Sequence, residues 1–124
     1  MSIKIKEIAY SCYVVTDFIR SRAFYEQTLG LKNTMLFGEP GGPHWAEYDL
    51  GAGTLAIGAG APGMKPSPDG CVVALEVEDF EGAVADLRAK NVAFRFGPFE
   101  TPVCHMVGII DPDNNSIIIH HRKS

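Results

Sequence analysis

Apolar residues in this chain fall into two matching series of runs, one in each half. Residues 8–15 and 71–77 are strand-length stretches rich in β-branched side chains, and each is followed by an aspartate, Asp17 or Asp79, placed to cap a helix. Apolar positions then recur at helical spacing, Phe18, Tyr25 and Leu29 in one half and Phe80, Val84 and Leu87 in the other, so each helix presents a stripe to a sheet. Gly30 and Asn91 supply left-handed stops. A short extended piece follows each helix (residues 34–37 and 93–96), then a Gly/Pro-rich loop and two strands around a turn, residues 49–54 or 111–116.

One shift lays Tyr10 on Val72, Val15 on Val77, Asp17 on Asp79, Phe18 on Phe80, Ala23 on Ala85, Asp49 on Asp111 and Ile57 on Ile119. The chain is thus two copies of one βαβββ module, about 5–58 and about 71–121, joined by a Gly/Pro-rich linker at about 59–70. A four-stranded sheet with one helix covers only one face. The expected fold is α+β, a single domain in which the two modules form a cup-shaped mixed β-sheet with helices outside and a concave interior suited to a ligand.

Alternation along each strand selects the residues expected to face that cup. They are Tyr10, Cys12 and Val14; His44, Ala46 and Tyr48; Thr54 and Ala56; Val72, Ala74 and Glu76; Cys104, Met106 and Gly108; Ser116, Ile118 and His120. Those expected to bind a ligand are Tyr10, Cys12, His44, Glu76, Cys104, Met106 and His120. His120 is either a titratable group over the pocket or one of the solvated histidines of the last residues; His44 is either a loop residue at the pocket mouth or an ordinary surface histidine. Trp45 reads as a core anchor. Glu47 points by the same parity to the helix side, and becomes the pocket acid only if the register moves by one.

The run from Val14 to Leu31, VVTDFIRSRAFYEQTLGL, resembles the first helix of the glyoxalase, bleomycin-resistance and extradiol-dioxygenase superfamily, the vicinal oxygen chelate proteins. The closing DPDNNSIII of residues 111–119 resembles its last hairpin, and with the repeat the resemblance covers nearly the whole chain. The resemblance is specific for fold and weak for function, because such a superfamily spans isomerases, dioxygenases, thiol transferases and metal-free drug binders. It implies a divalent metal held by His and Glu side chains, but the expected His positions are Tyr10 and Val72, and the expected Glu positions are Ala56 and Ile118. No metal and no cofactor are therefore expected. The resemblance also implies a homodimer, with the cup formed either within one chain or between two.

Composition narrows the partners. The 124 residues carry a net charge of −4 without a basic run, which gives no footprint for nucleic acid. No apolar stretch approaches the roughly 20 residues of a membrane span. Cys12, Cys71 and Cys104 are odd in number and unpaired by spacing, and the first residues lack the apolar core of a signal peptide, so reduced thiols and a cytoplasmic location are expected. Two functions remain open: a metal-independent protein that binds a small, partly apolar molecule, or a lyase, isomerase or dioxygenase with relocated catalytic or metal-binding residues.

Overall fold

The computed structural model, which describes residue 4 and residues 6–123, holds two mixed four-stranded sheets. The first contains β1 (Ser11–Val14), β2 (Met35–Gly38), β3 (His44–Leu50) and β4 (Gly53–Ala59), in the order β1-β4-β3-β2. The second contains β5 (Val73–Glu76), β6 (Phe94–Glu100), β7 (Cys104–Ile110) and β8 (Ser116–Arg122), in the order β5-β8-β7-β6. In each, the strand that precedes the helix pairs in parallel with the last strand, and the other pairs are antiparallel. Both βαβββ modules read from the repeat are present. The paired parts of β1 and β5 are shorter than the apolar runs because each parallel ladder spans only four residues. Among the described residues no helix is long and apolar enough to cross a membrane.

Helix α1 (Phe18–Ala23) starts where the Asp17 carboxylate accepts the Arg20 amide at 3.0 Å, and α2 (Phe80–Ala89) where Asp79 accepts the Gly82 amide at 2.9 Å. Each cap satisfies one amide that the helix leaves unpaired. The first helix departs from the expected single α-helical run: beyond Ala23 it widens into a π-helical turn, Phe24–Thr28. Gly30 and Asn91 take the left-handed conformation expected of the stops, with φ of 76° and 59°.

The helix-facing sides of the two sheets share one core. Tyr13, Ala46, Tyr48, Leu55 and Ile57 from the first meet Val107, Ile109, Ile117 and Ile119 from the second, with Tyr25, Phe80, Val84 and Leu87 from the helical segments. Polar contacts run along the same seam. The Tyr25 hydroxyl donates to the buried Asp111 carboxylate at 2.9 Å, that of Tyr13 to the Ser116 carbonyl at 2.6 Å, and the Asn115 side chain to the Val14 carbonyl at 2.9 Å. Because these faces are turned toward the shared core, the opposite face of each sheet is left for function.

One strand departs from the expected alternation. Ala46 and Tyr48, expected in the cup with His44, are fully buried on the helix side, where Tyr48 stacks on Tyr25 at 6.2 Å. Trp45 and Glu47, expected on the helix side, occupy the concave face. The cause is turn length. The β3–β4 hairpin closes with Leu50 opposite Gly53, so Glu47 lies opposite Ala56; the β7–β8 hairpin closes with Ile110 opposite Ser116, so Gly108 lies opposite Ile118. The first turn encloses two residues and the second five, an odd difference that reverses the parity of β3 relative to β7 and sends every side chain of the strand to the other face.

Candidate functional site

Trp45 dominates the concave face of the first sheet. It borders a cavity of about 240 Å³ whose walls include Cys12, Val14, Phe37, Gly58 and, from the linker, Met64. The indole fits there because Gly58, its cross-strand partner, has no side chain: a Cβ on Gly58 would sit 2.9 Å from Trp45 Cε3. The Tyr10 ring meets Trp45 edge-on, with centroids 5.0 Å apart and planes at 81°. The Trp45 indole N–H donates to Glu47 Oε2 at 2.8 Å, which satisfies the one polar atom of the ring. Burial pushes the Cys12 thiol up to about 11, so at neutral pH it is an un-ionised, weakly polar wall rather than a nucleophile. Such a cavity offers carbon and aromatic surface with one carboxylate beside it.

The second sheet presents a different face. Glu76 and His120 are cross-strand partners on β5 and β8, and His120 Nδ1 lies 2.6 Å from Glu76 Oε1. The other carboxylate oxygen accepts the Arg122 amide at 2.7 Å. That amide first, and His120 second, hold the Glu76 carboxyl below the usual carboxylate range. Met106 lies opposite His120 on β7. Cys104 is buried, its Sγ 3.2 Å from the Thr101 hydroxyl, and with His120, Arg122 and Lys123 it borders a hollow of about 460 Å³.

The residues expected to bind a ligand are therefore divided. Tyr10 and Cys12 lie on the first face, and Glu76, Met106, His120 and Cys104 on the second. His44 belongs by register to the helix side of β3, its ring 5.2 Å from that of Phe18 and over the space left by Gly38, and it also lines the first cavity. Trp45, Phe37 and Met64 were missed from sequence. The signal that finds Trp45 is the two-residue β3–β4 turn, which reverses the parity; Phe37 then follows as its partner on β2. For Met64, in a linker without periodicity, the sequence carries no signal.

Ala56 and Ile118, two of the four positions at which the resemblance expects a metal ligand, sit on the concave faces of β4 and β8, and they are hydrocarbon. Tyr10 offers a phenol and Val72 nothing. Among the described residues no three His, Cys, Asp or Glu side chains converge as a metal-holding group. A divalent ion needs several oxygen, nitrogen or thiolate donors at one point, and this set does not fit one.

The sequence profile described as Glyoxalase/Bleomycin resistance protein/Dioxygenase superfamily matches residues 4–119, and the chain belongs to that superfamily. Solved structures agree on the fold. TnmS3, an antibiotic binding protein from Streptomyces sp. CB03234, is 22% identical with a TM-score of 0.79, covering 98% of this chain and 100% of its own. The trypanothione-dependent glyoxalase I of Leishmania major is 22% identical with a TM-score of 0.76, over 94% and 87% of the two chains. A glyoxalase/dioxygenase from Nostoc punctiforme is 20% identical with a TM-score of 0.77, over 100% and 99%. No curated protein matches the sequence.

Proposed function

We propose that this chain is a metal-independent small-molecule-binding protein whose ligand, partly apolar and carrying an aromatic ring, lies against Trp45 in the concave face of the first sheet. The observation that carries this reading is the Trp45 cavity itself, walled mostly by aromatic and aliphatic groups, with no converging set of three metal-holding side chains among the described residues. TnmS3, a structural neighbour whose name records antibiotic binding, supports the same class of function. The walls of the Trp45 cavity come from the first module and the linker, and those of the His120 hollow from the second module. A homodimer in which one copy's second module closes over the other's first would complete the cup, and the half-exposed Met35, Leu36 and Phe37 on edge strand β2 give such a dimer apolar surface to bury.

Calorimetric titration of chelator-treated protein with a panel of aromatic compounds tests the reading. Saturable binding that is lost in Cys12→Phe, which fills the cavity, supports it; binding that requires an added divalent ion contradicts it. The Glu76–His120 pair is the one feature that favours the alternative, a lyase, isomerase or dioxygenase with relocated residues. Turnover of a bound compound that disappears in His120→Asn would establish that alternative.

A further inference from the structure

We propose that Glu76 and His120 form a proton-accepting pair that recognises an ionisable hydroxyl, a phenol or enol, on the ligand. This rests on the binding reading above and adds the ligand's chemical class. The pair occupies the last rung of the parallel β5–β8 ladder, and the corresponding rung of the β1–β4 ladder is Val14–Gly58, both of which line the Trp45 cavity. The repeat has thus kept the position and changed its chemistry. A cup closed by one module of each kind has an aromatic, apolar wall facing a wall that carries a carboxylate and an imidazole.

The geometry fixes the roles. Glu76 Oε2 is held by the Arg122 amide, which leaves Oε1 turned to His120 Nδ1 at 2.6 Å. An ionised carboxylate only accepts, so Nδ1 carries the hydrogen, and the neutral tautomer that this contact selects has its lone pair on Nε2. Nε2 has no hydrogen-bond partner among the described residues. Met106 across β7 and Ile118 and Ala74 beside the pair are uncharged. The charged and titratable neighbours are His121, whose Nδ1 lies 4.0 Å from Glu76 Oε2 and 2.7 Å from the Val77 carbonyl, then Arg122, Cys104 and Lys123, the last paired with Glu100. A ligand hydroxyl meeting Nε2 gives up its proton: the O–H bond breaks, the electron pair stays on oxygen, the proton forms the second N–H of the ring, and Glu76 balances the imidazolium.

The test compares 4-nitrophenol, whose phenolate absorbs in the visible, with 4-nitroanisole, which lacks the hydroxyl, on the native protein at neutral pH. The expected result is that 4-nitrophenol binds as the phenolate at least tenfold more tightly than the ether. In Glu76→Gln and His120→Asn that preference falls to within about twofold while the ether still binds. Equal affinity of the native protein for the two probes, or a preference that survives in His120→Asn, overturns the proton-accepting pair and leaves the cavity reading intact. Failure of both probes to bind overturns both. Should the variants not fold, nitrogen NMR of the native imidazoles decides: an Nδ1–H tautomer at His120 supports the pair, and an Nε2–H tautomer overturns it.

Discussion

The indole N–H of Trp45 donates to the Glu47 carboxylate two residues along the same strand, at 2.8 Å on the concave face of β3. This contact holds the ring plane while Tyr10 supports its edge. Glu47→Ala should release the indole and weaken an aromatic ligand by roughly 3- to 10-fold, the equivalent of one ordinary hydrogen bond. Trp45→Ala should cost more, because it removes the wall itself. Trp45 is the one tryptophan in the chain, so fluorescence titration measures the first variant without interference, and calorimetry the second.

A second prediction concerns the seam between the modules. Asp111 accepts from the Asp113 and Asn115 amides, the Asn115 side chain and the Tyr25 hydroxyl, and it is almost fully buried. Burial first, then Asp111, push the Tyr25 phenol far above its ordinary range, so it remains a donor at every accessible pH. Tyr25→Phe should destabilise the fold by about 1–2 kcal/mol, and Asp111→Ala by about 3 kcal/mol or more, since several donors then lose their partner in a dry site. Denaturant unfolding checks both. Equal stability of Tyr25→Phe and the native protein would remove this contact from the seam.

Cysteine reactivity offers a third check. The Cys12 thiol is raised to about 11 by burial, so its thiolate fraction stays negligible near neutral pH and rises only as pH approaches that value. Cys71 is exposed. Iodoacetamide at pH 8 should therefore modify Cys71 first and leave Cys12 unmodified, and an aromatic ligand should slow Cys12 modification at higher pH. Mass spectrometry of the digested protein reads both sites; rapid labelling of Cys12 at pH 8 would contradict its placement in the cavity wall.

Much of this architecture is legible in the residues. Asp17 and Asp79 mark the helix starts, Gly30 and Asn91 the stops, and the repeat aligns the two modules, because caps and left-handed stops are local chemistry that one residue type supplies. The concave faces of β1, β4, β5, β7 and β8 also follow from alternation. The face of β3 does not, since the β3–β4 turn encloses two residues and the β7–β8 turn five, an odd difference that reverses the parity, hiding Trp45 and Glu47 and placing Ala46 and Tyr48 in the cup. The division of the site between two faces is set by how the modules pack on their common core, a long-range property that strand periodicity does not encode.

The most direct test of metal-independent binding in the first module follows the single Trp45 indole N–H resonance while 8-anilinonaphthalene-1-sulfonate is added to protein held in excess chelator. A saturable displacement of that resonance, unchanged when divalent ions replace the chelator, is the predicted result. An indole resonance that stays still while the dye binds elsewhere, or that moves only with metal present, would contradict it.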